Sequence, residues 1–180
     1  MLDVVSKTCH LCASLKSVPS TLSKSFSTEL PKGAGQACSA DVLQRNRQCI
    51  LVVRENVTSL TKACILSDES ADSLRDGLVC LCIDMAPLDG PPLVIRVDPA
   101  PGFQQVHRLN LLQPVHMSLG IGHAKNVNKN PIAEKCIQEL ENELKRLDPT
   151  GGVISASRLA IAISTLNSRV RDRGLSACEM

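Results

Sequence analysis

Apolar residues recur along this chain with two periods. Between residues 36 and 67 they come in short runs of buried-strand length. One run ends near Asp41, a second covers 48–55 (Gln-Cys-Ile-Leu-Val-Val-Arg-Glu), and a third covers 59–66. In the third, Leu60, Ala63 and Ile65 do not alternate cleanly. Short polar links at Asn46 and at Glu55-Asn56 suit a three-stranded antiparallel meander. Ser67-Asp-Glu-Ser70 then supplies helix-starting residues. Leu74, Leu78, Cys82 and Met85 follow at helical spacing, so a helix is expected from 71 to about 85. Asp89-Gly-Pro-Pro92 stops it. The run 93–97 reads as a fourth strand and 118–122 as a short fifth.

The second half carries the strongest helix signal. Asn130 fits an N-cap and Pro131 a first helical position. Ala133, Cys136, Ile137, Leu140, Leu144 and Leu147 form an apolar stripe, with Glu134, Gln138, Glu141 and Lys145 on another face. Asp148-Pro-Thr-Gly-Gly152 ends this helix. A last helix, about 155–171, carries Leu159, Ala162, Ile163, Leu166 and Val170. Residues 1–33 show no sustained period, and their Pro19, Pro31 and Gly33 mark a linker. The chain therefore divides into an N-terminal appendage, 1–33, and one domain, 34–180. Periodicity alone places that domain in the α/β or α+β class.

Composition narrows the partners. Hydrophobic residues make up 43% and charged residues 21% of the 180, a globular balance. A net charge of +2 advertises no global affinity for nucleic acid, so such binding needs a local patch. Phe26 and Phe103 are the whole aromatic complement, which leaves no platform for stacking bases and directs any nucleic-acid contact to the backbone. The nine cysteines follow no disulfide-framework spacing, and most sit in apolar runs as small hydrophobes. With no signal-peptide pattern or membrane-length apolar stretch, reduced thiols in cytoplasm or nucleus are expected. No membrane or small-molecule partner is expected. No Ser/His/Asp motif or Gly-rich phosphate loop is present.

Three acids carry the candidate chemistry. Asp41 follows an apolar run in Ala-Cys-Ser-Ala-Asp-Val. Asp98 closes Pro-Leu-Val-Ile-Arg-Val-Asp, and Glu134 opens the Asn130-Pro131 helix, with 35 residues between these two. Taken singly, Asp41 is a turn residue, Asp98 the head of a proline-rich turn, and Glu134 a partner of the positive helix terminus. Taken together, two acids after strands and one in a helix's first turn suit a pair of Mg²⁺ or Mn²⁺ ions engaged in phosphoryl transfer.

The flanks Val-Asp-Pro-Ala-Pro-Gly-Phe (97–103) and Asn-Pro-Ile-Ala-Glu-Lys (130–135) resemble the integrase core of long-terminal-repeat retrotransposons and retroviruses. So does Ser-Arg-Val-Arg-Asp-Arg-Gly-Leu-Ser-Ala (168–177), and the resemblance runs from about residue 34 onward. It implies a ribonuclease-H-like fold: an α/β domain with a mixed five-stranded sheet flanked by helices, in the order βββαβ, then αβαα. It also implies Asp41, Asp98 and Glu134 as catalytic metal ligands, DNA as substrate, and a homo-oligomer. Lys125 and Lys129, in a polar loop ahead of the helix, and Lys135 become candidate phosphate contacts; Arg169, Arg171 and Arg173 form the densest basic run. The positions one and two turns beyond Glu134 hold Gln138 and Glu141, where retroviral integrases often carry bases. Cys9 and Cys12 resemble the second half of that family's His-His-Cys-Cys zinc domain, and with its histidines lacking upstream, a remnant without zinc is expected. Two functions stand open: a DNA-integrating polynucleotidyl transferase, or a non-catalytic DNA- or protein-binding remnant of a retroelement. A cellular nuclease of the same fold is a third.

Overall fold

The computed structural model describes residues 33–85, 90–122, 130–170 and 175–179. Five strands form one mixed sheet in the order β3-β2-β1-β4-β5. The strands are β1 (Ala37–Arg45), β2 (Gln48–Glu55), β3 (Thr61–Leu66), β4 (Leu93–Val97) and β5 (Met117–Ile121). The first three are an antiparallel meander, as the short polar links imply; Asn46 and Arg47 make the first turn with positive φ of 48° and 62°. β4 and β5 join parallel to β1 and to each other, and such pairs need crossover connections, here supplied by helices.

Those helices form two layers. α1 (Ala71–Cys82) and α2 (Pro101–Arg108) cover one face of the sheet, while α3 (Pro131–Leu147) and α4 (Ala156–Asn167) cover the other. The strand pleat sends alternate residues to the two sides. On β1 and β2, Cys38, Ala40, Leu51 and Val53 enter the α1/α2 core, whereas Leu43, Ile50 and Val52 enter the α3/α4 core. Asp41 shares the parity of Leu43 and so belongs to the α3 side. Phe103, 1% exposed, is the single ring in the first core; leucine, isoleucine and valine fill most of the rest. Of the cysteines in apolar runs, Cys82 and Cys136 are buried as expected, Cys49 and Cys64 are half-buried, and Cys80 is exposed, against expectation; Cys38 is buried as well.

Ser70 caps α1, accepting from Ser73 N at 3.3 Å, and the helix stops at Cys82, short of Met85. α2 starts on Pro101, within the segment whose proline-rich composition alone reads as a turn. Its Gly102 is required by close approach: a Cβ there would lie 2.4 Å from the Glu69 carbonyl oxygen and 2.6 Å from Leu74 Cδ1. On α3 the expected stripe is corrected at two positions. Leu147 is exposed, while Glu143 is buried and holds Arg146 (2.5 Å) and Arg169. A buried carboxylate is tolerated there because two guanidinium groups reach it from the rim.

Three side-chain amides fasten the α3/α4 layer to the sheet. Asn167, the last residue of α4, accepts from Thr61 N (2.9 Å) and donates to Thr61 O (2.8 Å), taking the place of a neighbouring strand on edge strand β3. Gln48 clasps the backbone of Ile154 in the same way, at 3.0 and 2.7 Å. Asn130 makes the third fastening, beside the three acids.

Candidate metal centre

β1 and β4 pair only from Ala37↔Val94 to Ser39↔Arg96. Beyond that point the two strands diverge, and the acids lie just past the fork. Asp41 is two residues beyond the last β1 partner, and Asp98 two beyond the last on β4. Asp41 is not at the end of its strand, as the apolar runs suggest: β1 continues to Arg45, paired with β2 through Asp41↔Val52. What ends near Asp41 is the pairing with β4.

α3 is docked over this fork. Asn130 directly precedes it, but its side chain does not cap the helix. Its Nδ2 instead donates to Ala40 O (3.2 Å) and Arg96 O (3.0 Å), one carbonyl from each diverging strand. The residue is 4% exposed. Its backbone carbonyl accepts from Glu134 N at 3.0 Å, which sets Glu134 in the first turn.

Electrostatics ties the acids together. The Asp41 carboxyl is held above its ordinary value of 3.8, first by burial and then by the charges of Asp98, Glu134 and Glu69; a bond from Val42 N (2.8 Å) opposes the shift. Oδ1 of Asp98 is buried and has no hydrogen-bond partner among the described residues. Glu134 is exposed to solvent. Among the described residues, no three His, Cys, Asp or Glu side chains form a closed metal-binding cluster as they lie. The acids thus share one electrostatic region without converging on one point. Their donor set is all carboxylate oxygen, which suits hard divalent cations such as Mg²⁺, and the unpartnered Asp98 oxygen fits a ligand role.

Glu69 is an acid the sequence pattern gives no reason to select. It lies in the helix-starting run Ser67-Asp-Glu-Ser70, receives a bond from Gln44 Nε2, and adds its charge to the field at Asp41. Among the candidate DNA contacts, Lys135 is exposed in the first turn of α3 beside Glu134. Arg169 is engaged with the buried Glu143, an intramolecular role that the basic run does not foretell. Lys125, Lys129, Arg171, Arg173, Cys9 and Cys12 lie outside the described residues.

The sequence matches no family model and no curated protein. Its fold does match solved structures, among them the catalytic core domain of BIV integrase. That match has a TM-score of 0.64 at 19% identity, covering 81% of this chain and 92% of the other. The fold is therefore ribonuclease-H-like, a mixed five-stranded sheet flanked by helices, with the architecture of an integrase catalytic core.

Proposed function

We propose that this chain is an integrase catalytic core of the long-terminal-repeat retrotransposon type, a polynucleotidyl transferase in which Asp41, Asp98 and Glu134 hold two divalent ions. The observation that supports this reading is that three acids from distant parts of the sequence flank the β1/β4 fork, close enough for the charges of Asp98 and Glu134 to bear on the half-buried Asp41, whose neighbour Asp98 has a buried oxygen without a partner among the described residues. An arrangement of like charges beside an unpartnered buried carboxylate oxygen costs stability and has no evident structural use. It has a direct use in binding cations. When bound, a pair of Mg²⁺ ions supplies Lewis-acid activation of the attacking oxygen and charge stabilisation of the leaving one.

The chain's own residues do the rest. β1 carries Asp41, Asp98 directly follows β4, and the first turn of α3 carries Glu134 on the same side of the fork, from where metal would draw the three carboxylates together. Three carboxylates repel a DNA phosphate unless cations intervene, so substrate binding depends on metal. Lys135, beside Glu134, is placed to meet a phosphate of the same strand; Lys125 and Lys129 extend this role in the proposal. The reaction would be removal of nucleotides at the 3′ end of element DNA, followed by attack of the new 3′ hydroxyl on target DNA, in nucleus or cytoplasm.

A second reading, a non-catalytic DNA-binding remnant, draws support from the acids' failure to form a closed cluster. Mg²⁺-dependent nicking and strand joining of a labelled duplex tests both. Activity that is lost in Asp98→Asn supports the integrase. Nicking without strand joining points to a nuclease of this fold. DNA binding with neither activity, unaffected by Asp98→Asn, supports the remnant.

A further inference from the structure

Asn130 touches the scaffolding of all three acids at once. The Ala40 carbonyl it binds belongs to the peptide that leads into Asp41. The Arg96 carbonyl belongs to the peptide one residue short of the one leading into Asp98. Its own carbonyl binds Glu134 N. Its side-chain nitrogen has two N–H donors, and the two strand carbonyls use both. These contacts lie at the end of the β1/β4 ladder, whose last pair is Ser39↔Arg96, so they tie the two strands together where they begin to diverge. The side chain is buried, so water offers the two carbonyls little substitute.

We propose that Asn130 is a positioning residue that sets the separation of Asp41, Asp98 and Glu134. The inference rests on the metal-binding reading above for its functional consequence, but its structural part stands apart from metal. Beyond the buried Ala133, the helix docks through apolar contacts of Cys136, Ile137, Leu140 and Leu144 and through the ion pair of Glu139 with Arg54 on β2, none of which acts at its first turn. Two directed bonds at its head fix both rotation and height. Asn130→Asp keeps the size of the side chain, yet its carboxylate offers no proton to either carbonyl at neutral pH.

The test uses the full chain in four versions beside the parent: Asn130→Ala, Asn130→Asp, Asp98→Asn and Ile137→Ala. The last loosens the same helix without touching the amide. In metal-free buffer, amide hydrogen exchange at Glu134 should quicken by about tenfold in both Asn130 variants, beyond any change at Leu140 and Leu144. In Ile137→Ala, Glu134 and the mid-helix amides should change together. Mn²⁺ titration followed by electron paramagnetic resonance should then show affinity weakened about tenfold or more by either Asn130 variant. It should be nearly unchanged in Ile137→Ala and mostly lost in Asp98→Asn. Unaltered Glu134 exchange in the Asn130 variants overturns the inference whatever the metal does. So does parent-like Mn²⁺ affinity in those variants alongside its loss in Asp98→Asn. If parent and Asp98→Asn bind Mn²⁺ equally, the metal reading fails, and the exchange data alone decide whether Asn130 holds the helix head.

Discussion

Replacing Asn167 with alanine should destabilise the fold far beyond the size of the change. Asn167 is 7% exposed, and Thr61, whose backbone its side chain clasps, is fully buried. Truncation strips partners from one N–H and one C=O on the edge strand. Each buried backbone group left unpaired costs about 1–3 kcal/mol. A water entering the vacated volume recovers part of this, so the loss should be about 2–4 kcal/mol. For a domain of this size that corresponds to a fall in melting temperature of about 5–12 °C. Chemical denaturation of parent and variant, with equal slopes against denaturant, gives the difference directly. Asn167→Asp adds a second arm. At neutral pH its carboxylate accepts from Thr61 N but repels Thr61 O, so it should be at least as harmful as alanine. Acidification should relieve it, because protonation restores a donor. A loss below about 1 kcal/mol for alanine, or pH-independent stability for the Asp variant, would refute the idea that this amide serves as a strand neighbour.

Three further outcomes are expected. Glu134→Gln removes one of the charges that bear on Asp41, so without metal it should be at least as stable as the parent; it should also lose the thermal stabilisation that Mn²⁺ gives, which for the parent is about 2.7 kcal/mol at one hundred times the dissociation constant. Burial, and then Asp98, Glu134 and Glu69, raise the Asp41 carboxyl above 3.8, so between 3.8 and the raised value the folded chain binds more protons than the unfolded one. Metal-free stability should therefore fall as pH rises through that window, and pH-dependent unfolding of Asp41→Asn should show a shallower fall. Gly102→Ala forces a methyl against the Glu69 carbonyl and should cost about 1–3 kcal/mol by thermal unfolding, with the 67–70 segment displaced.

Much of the architecture was legible because hydrophobic periodicity is a local property. The runs at 48–55 and 93–97 became β2 and β4 with those bounds, and Ser70 and Pro131 marked two helix starts through cap chemistry that involves only near neighbours. The three acids stood out through their flanks and spacing, which a single chain can display. How near those acids lie to one another was not legible, since that depends on β1 and β4 pairing parallel and then diverging. Nor was the duty of Asn130, whose place before Pro131 is right for a cap, while its amide is drawn to two carbonyls some 34 and 90 positions away. Glu143 and Arg169 follow the same logic. The pattern gives Glu143 no role and reads Arg169 as part of a basic run, and only the packing of α3 against the end of α4 makes them partners. The sequence by itself determined where strands and helices form and which face of each is apolar, because those are decided within a few residues. The tertiary structure decided which polar groups are deprived of water and must find one another, because that depends on contacts between distant segments.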